Sequence, residues 1–140
     1  MTVKKGPDKE TSLKRLLAWK KLIGGIPKKH LDMCDWVDRD APAGCGTVAC
    51  AAGHAAMHKP FVKAGLYIDQ DYCPTYDHAD GPYYGSAAVQ HFFGISEEQA
   101  EFICDVEAYT HDVYRKRDVK PAVVAQHIQQ VIDEIEEGKK

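Results

Sequence analysis

The chain has 140 residues, is 44% hydrophobic and 28% charged, and carries a formal net charge of −3 at pH 7. This fits one ordinary domain rather than two, long enough to bury a core without a staple. No apolar run approaches the ~18 residues that a membrane span requires, and the polar opening Met1–Glu10 lacks the apolar centre of a secretory signal.

The five cysteines are Cys34, Cys45, Cys50, Cys73 and Cys104. An odd count without an export signal predicts free thiols in a cytoplasmic setting, not a disulfide framework. Charge is unevenly spread: residues 1–30 hold nine Lys/Arg against Asp8 and Glu10, and the rest of the chain is acidic. A basic arm on an acidic body suits nucleic acid or an acidic partner. The plainer alternative is a helix face of solvated lysines.

Residues 1–10 are expected to be a flexible basic tail, broken at Gly6-Pro7, and residues 11–137 a single helical domain. Leu13, Leu16, Leu17 and Ile23 predict an amphipathic helix over about Ser12–Ile23, stopped by Gly24-Gly25. Pro27 favours a helical turn within Ile26–Met33, and Asp38–Gly46 reads as loop. Thr47 is placed to cap a helix from Val48 to about Met57, which Pro60 ends. The small side chains of that helix predict a buried rod.

Residues 61–84 read as an irregular or β-containing insertion, in which Leu66–Asp71 alternates weakly as a short strand and no second hairpin arm is clear. Ser86 is placed to cap a helix through Phe93, with Gly94 at its left-handed end. Ser96-Glu97-Glu98-Gln99 is a capping box for a helix continuing to Val106. The last helix is expected from near Asp118, with Asp118 as cap. Val124, Ile128, Val131, Ile132 and Ile135 form its apolar stripe, and His127 lies at the core edge. Such a stripe also suits a dimer seam, so a homo-oligomer stays open.

Two places could carry chemistry. Around Cys45-Gly46-Thr47-Val48-Ala49-Cys50, with His54 one turn beyond, three readings stay open. Cys34, Cys45, Cys50 and His54 could hold zinc, the only cofactor the sequence offers, although the close Cys-x₂₋₄-Cys knuckle is missing. Cys45, ahead of a helix start, could be an activated thiol, although no basic partner is in reach along the helix. The favoured reading is structural, with the sulfurs as core filler, no catalytic residue and no cofactor. The second place is the insertion, where Tyr67, Asp69, Asp71, Tyr72, Tyr76, Asp77, Tyr83 and Tyr84 are candidate ligand- or partner-binding residues. Tyrosines on loops give rigid contact area at low entropic cost. The aspartates do not match a calcium loop. Acids among aromatics argue against nucleic acid at this face and favour a basic or small polar ligand.

Ile26-Pro27 with Asp32-Met33 and Trp36, then Cys45-Gly46-Thr47-x-x-Cys50-x-Ala52-Gly53, then Ala87-Ala88 with Phe93-Gly94-Ile95-Ser96, resemble a group of small uncharacterised phage and bacterial proteins. The resemblance covers roughly residues 26–105, and its middle piece is the most specific. It implies a mostly helical fold and a phage or mobile-element setting, hence the cytoplasm of a host cell, and it implies no activity.

The expected fold is mainly α, with five or six helices and a small irregular or β-containing insertion at residues 61–84. No phosphate loop, dinucleotide glycine pattern, Gly-x-Ser-x-Gly or His-Glu-x-x-His is present. The leading function is therefore a non-enzymatic binding protein, a phage accessory or host-defence-modulating factor engaging a host protein or small ligand. The alternatives are a zinc or thiol site at Cys45/Cys50/His54 and nucleic-acid binding through the basic first helix.

Overall fold

A computed structural model describes residues 7–26, 51–70, 73–78, 81–104 and 120–138. Among them are six helices and a three-stranded antiparallel sheet, in the order α1 (Lys9–Gly24), α2 (Ala51–Met57), α3 (Lys59–Lys63), β1 (Leu66–Ile68), β2 (Pro74–His78), β3 (Gly81–Tyr84), α4 (Ser86–Phe93), α5 (Glu97–Cys104) and α6 (Pro121–Glu136). The fold is mainly α with a small β insertion, as the sequence predicts. The turn within Ile26–Met33, the Asp38–Gly46 loop and the Thr47 cap lie outside the described residues.

Helix α1 starts a turn earlier than its apolar stripe suggests. Asp8 is its N-cap, and the carboxylate accepts from the Thr11 N–H at 2.8 Å, satisfying one of the free donors of the first turn. Leu16, Trp19 and Ile23 are fully buried. Helix α1 packs along α6, whose Val124, Ile128, Val131 and Ile132 are buried in turn. Trp19 turns toward α4 and α2, stacking on Phe93 and donating its Nε1–H to the Ala51 carbonyl at 3.0 Å. The cap position of α6 is Lys120, which lacks a side-chain cap bond; Pro121 takes the first turn, where its missing N–H costs nothing. Asp118, the expected cap, lies outside the described residues. His127 does sit at the core edge: its ring stacks on Phe102 at 4.0 Å, and its Nδ1–H reaches the Phe102 carbonyl oxygen at 2.7 Å.

Helix α2 is buried at Ala51, Ala52, Gly53, Ala55 and Ala56, and these small side chains let α1, α5 and β1 come close. Pro60 does more than stop it. It stands in the first turn of the separate short helix α3, which buries Phe61. The sheet that follows pairs Leu66 with Tyr76 and Tyr67 with Thr75, then Thr75 with Tyr84 and Tyr76 with Tyr83. Strand alternation sends Leu66, Tyr76 and Tyr83 to one face, and Tyr67, Thr75, Asp77 and Tyr84 to the other.

The chain turns from β3 into α4 at Gly85, which has φ 62° and is itself the N-cap; Ser86 is already helical and does not cap. Helix α4 covers the inner face of the sheet. Tyr76 meets Phe92 edge-on at 5.3 Å, and Tyr83 stacks on His91 at 3.8 Å. At the other end Gly94 adopts the left-handed conformation, φ 67° and ψ 40°, as predicted. The Ser96–Gln99 capping box is also formed: Ser96 N–H donates to Gln99 Oε1 at 2.9 Å and Gln99 N–H to Ser96 Oγ at 3.1 Å.

Gly94 yields a stability prediction. A Cβ there would run into Ser12 Oγ and come within 2.9 Å of Pro7 Cγ, on a backbone that L-residues avoid. Gly94→Ala should cost about 2–4 kcal/mol by chemical denaturation, the sum of left-handed strain and overpacking. Gly138→Ala, at φ 82° with nothing within 4 Å of its Cβ, should cost only the strain, about 1–2 kcal/mol or less. Equal costs at the two positions would remove the packing contribution.

Candidate functional site

The outer face of the sheet is where the predicted residues converge. Tyr67, Asp69, Asp77 and Tyr84 line one open groove of about 700 Å³, joined by Cys73, Thr75 and Pro82. Tyr67 on β1 and Tyr84 on β3 flank Thr75 on the central strand. Thr75 is only 2% exposed, whereas Tyr84 is 56% exposed. The groove thus has a closed floor and an aromatic side chain standing free beside it.

The polar groups are ordered in two sets. Asp69 closes the β1–β2 connection: its carboxylate accepts from Cys73 N–H at 3.0 Å and from Thr75 Oγ1 at 3.2 Å, and its own N–H donates to the Cys73 carbonyl at 3.0 Å. The Thr75 hydroxyl also lies 3.1 Å from that carbonyl. Asp69 is therefore committed to shaping the groove. Asp77 is exposed and accepts from Tyr67 Oη at 3.2 Å. Desolvation and then the charge of Asp77 hold the Tyr67 phenol above its ordinary pKa.

The other candidates fall elsewhere. Tyr76 is 8% exposed and belongs to the core. Tyr83 is half-buried on the inner face against His91. Register decides this, because neighbouring residues of a strand point to opposite faces. Asp71 and Tyr72 lie outside the described residues, as do Cys34, Cys45 and Cys50. His54 is half-buried on α2, and among the described residues no three His, Cys, Asp or Glu side chains converge as metal ligands do. Comparison with known proteins finds no matching family model, no matching curated protein and no matching solved structure.

Sequence reasoning missed Thr75, Cys73 and Pro82. The signal was present as i,i+2 pairs, Tyr67 with Asp69, Thr75 with Asp77 and Pro82 with Tyr84, around the Asp80-Gly81 dipeptide that marks hairpins. The basic first helix is partly consumed by packing. Arg15 Nη1 donates to the Phe92 carbonyl at 2.6 Å with its guanidinium 4.0 Å above the Phe92 ring, and Lys20 Nζ donates to Gln129 Oε1 at 2.6 Å. Lys14 pairs with Glu10 at 3.6 Å in full solvent, where such a pair is worth little. Among the described residues no helix is long and apolar enough to cross a membrane.

The Tyr67–Asp77 pair predicts a pH effect. Desolvation disfavours the phenolate first, and the Asp77 charge that would face it and the hydrogen bond that the neutral phenol donates add to this, so the folded pKa is raised above the unfolded value near 10. The stability this contributes is fully present below pH 10 and is lost as pH rises through the folded pKa. In an NMR titration Tyr67 should deprotonate at higher pH than a tyrosine model peptide, and Asp77→Asn should bring it back toward that reference. A Tyr67 titration unmoved by Asp77→Asn would contradict the assigned coupling.

Proposed function

We propose that this chain is a non-enzymatic binding protein that uses the outer face of its sheet to hold a basic segment of a partner protein. The observation that carries this is the placement of Tyr67 and Tyr84 on either side of Thr75, with the exposed Asp77 alongside, in a groove that no other described element covers. Tyrosine faces attract ammonium and guanidinium groups through their quadrupole, and a neighbouring carboxylate adds charge and a bidentate acceptor for arginine. The floor is already hydrogen-bonded, so a ligand there need not satisfy it. The resemblance of residues 26–105 to small phage and bacterial proteins supports a phage accessory role, with a host protein as the partner.

Nucleic-acid binding through α1 is the weaker reading, because Arg15 and Lys20 are engaged within the fold. The zinc or thiol reading rests on Cys34, Cys45 and Cys50, with His54 half-buried on α2.

The test is an NMR titration of the labelled protein with a short arginine-glycine peptide and its glutamate-glycine counterpart. The basic peptide should cause saturable shifts at the amides of Tyr67, Thr75, Asp77 and Tyr84, weakening as salt is raised. Tyr67→Ala/Tyr84→Ala should reduce the affinity about tenfold, as two lost cation–π contacts imply. Tyr76 and Tyr83 are unsuitable for this test because their loss would disturb the core. Equal responses to both peptides, or a double variant that binds as tightly as the parent, would remove the proposal.

A further inference from the structure

A second concavity lies away from the sheet. The first turns of α1, the corner between α4 and α5, and the end of α6 surround a cavity of about 550 Å³. That volume is within the range of small-molecule sites. Pro7, Ile95 and Ile135 supply apolar wall, and Gly138, with nothing within 4 Å of where a Cβ would stand, leaves room.

The polar groups of the cavity are accounted for, with one exception. Ser96 and Gln99 satisfy each other through the capping box, and Gln99 Nε2 donates to Glu134 Oε1 at 3.1 Å. Ser12 is only 3% exposed, and its N–H donates to the Asp8 carbonyl at 2.9 Å. Its hydroxyl has no hydrogen-bond partner among the described residues. It lies on the cavity wall against Gly94, where an added Cβ would strike it. Buried hydroxyls without partners are rare, because each forfeits about 1–3 kcal/mol of hydration.

Among the described lining residues Lys9 alone is charged, and Glu134 stands behind Gln99. The positive end of α1 and the negative end of α6 offset each other, and most of the wall is uncharged. We propose that this cavity binds a small uncharged molecule with an apolar body and one carbonyl group, the body against Ile95 and Ile135 and the carbonyl oxygen accepting from Ser12 Oγ.

The probes are cyclohexanone and cyclohexane, which share a ring and differ in the carbonyl. In NMR titrations of the full chain, both should give saturable shifts at Ser12, Ile95 and Ile135, with the ketone tighter. Ser12→Ala breaks no side-chain hydrogen bond described within the fold. It should weaken cyclohexanone about fivefold, the worth of one hydrogen bond, and leave cyclohexane unchanged. The proposal is overturned if neither probe gives saturable shifts, or if Ser12→Ala weakens both equally or neither. It is also overturned if the ligand-free protein shows nuclear Overhauser contacts from Met1–Val3 into the cavity, which would make the chain its own occupant.

Discussion

The adjacent rings of Phe92 and Phe93 at the end of α4 join the two halves of this fold. Successive helical residues point about 100° apart, so the two phenylalanines address different layers. Phe93 stacks on Trp19 of α1 at 4.3 Å, and Phe92 receives the edge of Tyr76 from the sheet at 5.3 Å. Phe61 of α3 meets both, at 5.1 and 5.5 Å. Each such pair is worth about 0.5–1.5 kcal/mol beyond the area it buries. The cluster ties α1, α3, α4 and the sheet together through one helical turn.

The position of the groove on the sheet follows from that constraint. Strands this short need a hydrophobic face packed against other elements to be stable in water. This one is held because Leu66 and Tyr76 bury one face against α4 and its neighbours. Once Tyr76 points inward, alternation sends Thr75 and Asp77 outward. The antiparallel register then places Tyr67 and Tyr84 beside Thr75. The outward cluster of tyrosines and carboxylates is thus a consequence of how the core is packed. A slip of one residue in β2 would exchange Tyr76 for Thr75 in the core and dissolve the groove.

What could be seen in the sequence divides along the same line. Gly94, the Ser96–Gln99 box and the stripe of α6 are local devices, complete within a few residues, and each appears where its pattern places it. The β insertion was legible as a region and as a set of candidate residues. Of its strands only β1 was, within the weak alternation of Leu66–Asp71; β2 and β3 were not, because they have only five and four residues and carry Pro74 and Pro82, which weaken a strand pattern. Sorting Tyr67 and Tyr84 from Tyr76 and Tyr83 requires the register, which composition does not contain. Gly85 was overlooked for a related reason. Its positive φ serves the turn out of β3, an element that has to be known before the glycine has a purpose.

Charge offers the complementary lesson. The early part of the chain is rich in lysine and arginine, but a count of cations does not measure a surface field. Arg15 lies on the Phe92 ring and bonds its carbonyl, so it extends the aromatic cluster to α1. Lys20 spends its ammonium on Gln129 and helps fasten α1 to α6. Both act chiefly as long apolar stems with a polar tip. A cation used this way is a poor counter-ion for phosphate, because releasing it would cost the fold a contact. The Asp77 carboxylate beside Tyr67 carries no such obligation to the core, and so the charge exposed on the outer face of the sheet is not spent on packing.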